Sequence, residues 1–175
     1  TKYLSTTAVY CNDRELASGA SYSTTRAFNF KAFERLDINK TPTYDCTNDN
    51  DKFTVDASTG NGKLKYPIAL ITADEIAYAG GVAGTEIPMW YYTNSSLESS
   101  TGTTDWWPLS PLNWSGLNAY SGGVGGSGHP GNLSSNFVDN SNGVRPAVSL
   151  KSCIKYSTGN GTSETPYEIA ENGGC

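Results

Sequence analysis

Four kinds of side chain in this sequence could do chemistry: one histidine, four cysteines, scattered carboxylates and four tryptophans. His129 lies in Gly128-His129-Pro130-Gly131. As the base of a Ser-His-Asp triad it would need Ser127, Ser134 or Ser135 as nucleophile and an acid beside it. No Gly-x-Ser-x-Gly elbow supports that arrangement, and a lone histidine rules out a multi-histidine metal site. The glycines and proline around His129 read as an exposed loop, so a surface or ligand contact is expected of it. Cys11, Cys46, Cys153 and Cys175 contain no Cys-x-x-Cys spacing and pair best as disulfides. Three pairings are possible, and proximity in sequence favours Cys11 with Cys46 and Cys153 with Cys175. Each would close a loop worth roughly 3–4 kcal/mol in the chain-entropy model. The alternative is four reduced core thiols. Thr1 opens the chain without an initiator Met, which suggests a processed chain or a piece of a longer one.

The carboxylates suggest two further chemistries. Asp45, Asn48, Asp49, Asn50 and Asp51 gather hard oxygens in one loop, and Asp139, Asn140 and Asn142 do so in another. Neither has the EF-hand spacing, so no cofactor is assigned, with calcium the one possible exception. Solvated turn residues are the simpler reading. Asp105 stands beside Trp106 and Trp107 as a sugar-subsite acid would, but a glycosidase needs a second acid at a set distance. Passive binding asks less: aromatic faces stack on apolar sugar faces while short polar chains bond hydroxyls. Trp107, Trp114 and Tyr120 are candidates for such contacts. Core packing competes for Trp106, Trp107 and Trp114.

These residues need elements to position them. The strongest local signal is Thr72-Ala73-Asp74-Glu75: Thr72 as N-cap and Glu75 three residues on form a capping box, opening a helix of about two turns. Asp74 and Glu75 suit the positive end of its dipole, and Gly80 suits the left-handed conformation that ends it. Residues 1–10 read as a strand, and Cys11 as the start of a turn. Residues 26–36 fit either alternation or a helical face and are taken as mostly extended. Residues 52–55 are a short strand. Leu64, Tyr66, Ile68 and Leu70 alternate across Pro67 as an edge strand. Met89, Trp90, Tyr91 and Tyr92 open an apolar run. Gly122 to Gly128 lacks the lysine and following helix of a phosphate loop and reads as a hairpin with tight turns. Residues 139–143 are a turn, residues 144–150 a strand broken by Pro146, and residues 156–169 a tail.

Composition bounds the class. The chain has 175 residues, 37% hydrophobic, with 19 glycines and a net charge of −5. That is about one domain's length. The 11 tyrosines, 5 phenylalanines and 4 tryptophans argue against disorder and must supply much of the burial. Cations do not cluster along the sequence, so no phosphate track for nucleic acid is present. No apolar run reaches the length of a membrane span, so no membrane insertion is expected. Disulfides and this composition point to an extracellular or cell-surface location.

Trp106-Trp107-Pro108-Leu109-Ser110-Pro111, Gly131-Asn132-Leu133 and Asn142-Gly143-Val144-Arg145-Pro146-Ala147-Val148-Ser149-Leu150 together carry a resemblance. They look like a family of uncharacterised domains in surface proteins of gut and other Firmicutes. That family has a Trp-Trp-Leu-Arg-Ser-Pro-like box and a Val-Arg-Pro closing strand. Leu70 to Glu75, Ala79-Gly80-Gly81 and residues 160–167 also resemble it, so the likeness spans roughly residues 64–169. The chain departs from the box at Pro108 and Leu109, where an arginine commonly precedes Ser-Pro. The family is distantly similar to C-type-lectin-like domains, including formylglycine-generating-enzyme-like proteins and retroelement-diversified receptors. The catalytic cysteine pair of the formylglycine-generating group has no match here. The resemblance implies that Arg145 is a structural, partly buried residue with paired acceptors and that Trp107 belongs to the core.

The expectation is one bacterial α+β domain over residues 1–175, C-type-lectin-like. It has a small twisted antiparallel sheet, one or two short helices and long irregular loops, with residues 4–10 pairing with 144–150. Its expected function is non-catalytic extracellular recognition of a glycan or protein ligand through loops between residues 90 and 142. Asn113, Trp114, Tyr120, His129 and Asp139 make the contacts, and Trp106, Trp107, Arg145, Thr72 and Glu75 serve the scaffold. A structural module of a cell-surface or fimbrial protein is the alternative, and a glycan-acting enzyme the third.

Overall fold

The computed structural model describes residues 2–56, 60, 62–87, 105–126, 129–170 and 175. The expected run at Met89 to Tyr92 lies outside them, as do Asn61, Ser127 and Gly128. The fold is α+β, built on a small mixed sheet and one capped helix.

That helix, α2 (Ala73–Tyr78), forms where the capping box places it. The Thr72 hydroxyl accepts from the Glu75 N–H, and the Glu75 carboxylate accepts from the Thr72 N–H. Gly80, at φ +99°, follows its end. Ser110 adds a second cap from another element, its Oγ accepting from the Ala73 N–H at 2.9 Å. Ile76 and Ala73 are fully buried in a core with Leu36, Trp106, Val124 and Leu133.

The main sheet supplies the other wall of that core. β6 (Trp106–Trp107), β7 (Pro111–Trp114), β8 (Ala119–Val124) and β9 (Leu133–Phe137) come from the tryptophan box and the glycine-rich run after it. β8 is the spine: β9 pairs along one edge, while β7 and then β6 share the other. Trp106 lies opposite Val124, which lies opposite Leu133, so three core residues line up across three strands. Gly122 is needed because a Cβ there would fall 2.6 Å from the Pro108 ring. The box proline thus packs on the spine strand through a missing side chain.

Several expectations are corrected. The sheet is mixed, since β10 (Gly143–Val144) runs parallel to β6. A second small sheet is also mixed: β3 (Lys52–Thr54) pairs antiparallel with β1 (Tyr10–Cys11) and parallel with β4 (Gly62–Lys63). Cys11 is therefore in a strand, and residues 4–10 are not one continuous strand. Residues 26–36 turn out to be both things the pattern allowed. β2 (Phe28–Asn29) pairs with β7, and from Lys31 the chain coils as α1 (Lys31–Phe33), continuing as a π-helix at Glu34–Asn39 that buries Leu36. The edge strand expected at residues 64–70 shrinks to β5 (Ala69–Leu70), because the chain bends around buried Pro67. The tail holds a hairpin of β12 (Tyr156–Thr158) and β13 (Glu168–Ile169).

The segment from 143 to 151 is a seam joining three parts of the molecule. β10 pairs with β6, β11 (Pro146–Ala147) pairs antiparallel with β5, and Leu150 bridges antiparallel to Leu4. The expected pairing of early and late strands is thus met at Leu4, while Tyr10 joins β3 instead. Both disulfides form as expected, Cys11–Cys46 and Cys153–Cys175.

Candidate functional site

The structure divides the expected contact residues between the two ends of the main sheet. Asn113 and Trp114 close β7, and Tyr120 lies on β8 opposite Asn113. The Tyr120 ring packs on Phe137 at 4.6 Å between centroids. Val138 N–H donates to Ala119 O, which carries the next residue, Asp139, to the same end. The Ser115 hydroxyl accepts from the Asn118 and Leu117 N–H groups, holding the β7–β8 turn, at whose tip Leu117 is 84% exposed. Phe137 and Val138 are also exposed there. No side-chain hydrogen bond engages Asn113 or Asp139 among the described residues. Trp114 is half-buried, with an indole N–H that is out of solvent and has no partner among the described residues.

His129 is not part of this cluster. It stands at the opposite end of β8 and β9, in the loop joining them, with Nδ1 2.8 Å from Glu86 Oε1 and both side chains well exposed.

The residues assigned to the scaffold are placed as follows. Trp106 is in the core, and the Arg145 guanidinium lies 4.9 Å from its ring centroid, a cation–π contact that keeps half-buried Arg145 in place. Thr72 and Glu75 form the cap. Trp107 does not belong to the core, a correction to the expectation: it is half-buried and outside the core cluster, because period-two alternation turns it to the face opposite Trp106. Asp105 serves as a tie: its two oxygens accept from the Gly126 N–H and the Asn136 amide, locking β6 to the far end of the hairpin. In the 45–51 loop the side-chain oxygens of Asn48, Asp49 and Asp51 are similarly occupied. Buried Asp51 takes Arg14, Asn48 caps its own turn and Asp49 pairs with Lys52. No group of three or more metal-ligating side chains gathers among the described residues.

A polar cavity beneath the Cys11–Cys46 disulfide was not foreseen. It holds about 130 Å³ and is lined by Asp13, Lys31, Arg35, Asp45 and Asp51 among others, with a smaller recess of about 50 Å³ toward Thr72 and Ser110. At its centre Arg35 forks onto Asp74, Nε to Oδ1 at 2.9 Å and Nη2 to Oδ2 at 2.8 Å, and reaches Asp13 Oδ2 with Nη1 at 2.7 Å. Burial alone would lower the arginine pKa. The hydrogen bonds that Arg35 donates to Asp74 and then to Asp13 outweigh it and raise the pKa above its ordinary value, so the guanidinium stays charged. Asp74 is buried and also accepts from the Thr43 N–H. Its main partner is thus Arg35 rather than the helix dipole. The only sequence hint was a second carboxylate in a first turn that already had its capping glutamate. Beside the recess, Tyr44 and Tyr78 stack at 4.1 Å with both rings exposed.

No protein-family model, curated protein or solved structure matches the chain. No helix among the described residues is long and apolar enough to cross a membrane.

Proposed function

We propose that this chain is a non-catalytic extracellular recognition module that takes a glycan or protein ligand at the β7–β8–β9 end of its main sheet. The observation that carries the reading is that Asn113, Trp114, Tyr120 and Asp139 all lie at one end of the sheet, beside an exposed tip where Leu117 is 84% exposed. Exposed apolar groups beside unengaged polar ones are the mixture recognition surfaces use. Two disulfides in one domain favour an oxidising, extracellular setting. A C-type-lectin-like arrangement, as in the Firmicutes surface family the motifs resemble, is supported by the bridge between Leu4 and Leu150 and by Arg145 lying over Trp106.

The second reading is a structural module of a bacterial surface or fimbrial protein. It is favoured by half-buried Trp114, which leaves Leu117, Phe137 and Val138 as exposed groups at that end. A glycan array separates the readings. The chain should bind a subset of glycans, and Trp114→Ala should weaken that binding by roughly tenfold or more, the cost of removing a central aromatic contact. Binding to no glycan would sink the carbohydrate form of the proposal. Release of a cleaved sugar from any glycan would replace it with the enzyme.

A further inference from the structure

The closing strand wears its alternation inside out. From 143 to 150 the even-numbered residues Val144, Pro146, Val148 and Leu150 are exposed, while Arg145, Ala147 and Ser149 are half-buried. With a period of two, register alone decides which set faces the core, and the apolar set is normally the buried one. Here Arg145 turns inward onto Trp106, which forces its neighbours outward. The exposed face runs into a groove of about 360 Å³ whose lining is entirely apolar, with Phe53, Leu64, Ile68 and Leu70 facing Val144 and Pro146.

The backbone of the same strand is paired on one edge. Gly143 N–H donates to Asp105 O at 2.7 Å, Ser149 O accepts from Ser5 N–H at 2.8 Å, and Lys151 N–H donates to Tyr3 O at 3.0 Å. These are all odd-numbered positions. Successive residues of a strand aim their main-chain groups at opposite edges. Val144, Val148 and Leu150 therefore direct N–H and C=O the other way, where no hydrogen bond from a described residue reaches them.

Charge is segregated on the same segments. Residues 2–10, 62–71 and 143–155 carry six cations, Lys2, Lys63, Lys65, Arg145, Lys151 and Lys155, and no carboxylate. The rest of the chain has six cations against seventeen carboxylates. An acidic partner is complementary to these segments.

We infer that the closing strand is a docking edge for an extended acidic segment of another protein. That segment adds as a strand along Val144 to Leu150, sets apolar side chains over Val148 and into the groove, and meets the lysines with Asp or Glu. This is strand addition, in which main-chain bonds give affinity and alternate side chains give specificity. Pro146 offers no N–H, so the added strand is held in two stretches on either side of it. An anionic membrane would satisfy the lysines but not the edge amides. A second copy would set lysine against lysine.

The test uses the whole chain with both disulfides intact. It is titrated by fluorescence anisotropy with a labelled peptide of about ten residues, the span of a long strand, alternating valine with glutamate. The same peptide with lysine for glutamate, and the glutamate peptide N-methylated on alternate amides, serve as controls. The glutamate peptide binds, and each control binds roughly tenfold more weakly or worse. Val148→Lys weakens the glutamate peptide by a similar factor, and Trp114→Ala leaves it unchanged. Lys63→Glu with Lys65→Glu is a second variant, remote from the core, expected to weaken the same peptide should Val148→Lys fail to fold. Equal binding of the glutamate and lysine peptides, indifference to N-methylation, or no binding overturns the inference. Binding to phosphatidylserine vesicles, or self-association, that is lost in Val148→Lys assigns the face to a different occupant and overturns it equally.

Discussion

Arg35 and Asp74 show how far apart in sequence a single interaction can be assembled. Their side chains are 13% and 6% exposed and meet across 39 positions. Removing one partner strands the other as an uncompensated buried charge, which costs about 3–5 kcal/mol, whereas replacing both with apolar groups is often neutral or better. Arg35→Ala should therefore destabilise the fold by that amount in urea denaturation, and Arg35→Met with Asp74→Leu should recover most of it. A single-variant loss under about 1 kcal/mol, the range of exposed pairs, would show that the pair is effectively solvated. From sequence, Glu75 is legible because its partner Thr72 is three residues away. Asp74 is misread as a dipole partner because nothing within a turn names Arg35.

At the scale of elements, the same locality decides what is legible. The capping box satisfies two backbone N–H groups within one turn, so α2 is visible in four letters. Thr72→Ala should cost about 1 kcal/mol, the usual worth of such a cap, read as a shift in urea midpoint at constant slope. A loss near zero would mean that Ser110 alone holds the helix start. Residues 26–39 are less legible. Phe28 and Phe30 alternate while Phe33 and Leu36 follow helical spacing, and the chain uses each pattern in turn, first pairing with β7 and then burying Leu36. Short apolar runs support both periods until packing chooses. The glycine-rich run reads correctly as a hairpin, yet the reason for Gly122 is Pro108, a contact fourteen positions back.

For the whole molecule, the two disulfides do unequal work. Cys11–Cys46 spans 35 residues and joins β1 to the loop that roofs the Arg35 cavity. Cys153–Cys175 spans 22 and ties the terminal cysteine beside the closing strand, with the β12–β13 hairpin between. Replacing the first pair with serine should cost roughly 3–4 kcal/mol of global stability. Replacing the second should loosen the tail, seen as faster amide exchange in β12 and β13, while the core transition moves far less. Equal losses of global stability from both replacements would show that the tail folds as one unit with the core. The seam at residues 143–151 gives this unity its form, since one strand is zipped in succession to β6, β5 and the segment around Leu4.

The sequence alone makes the α+β class, the capped helix and the hairpin legible, and it favours the disulfide pairing that forms. Each of these rests on neighbours in sequence or on the proximity of cysteines along it. Tertiary structure alone decided that the sheet is mixed, that Asp74 belongs to Arg35, and that His129 stands apart from Asn113, Trp114, Tyr120 and Asp139. It also decided which face of the closing strand is buried. Alternation names two faces without saying which one meets the core, and Arg145 settles that only once Trp106 is folded beneath it.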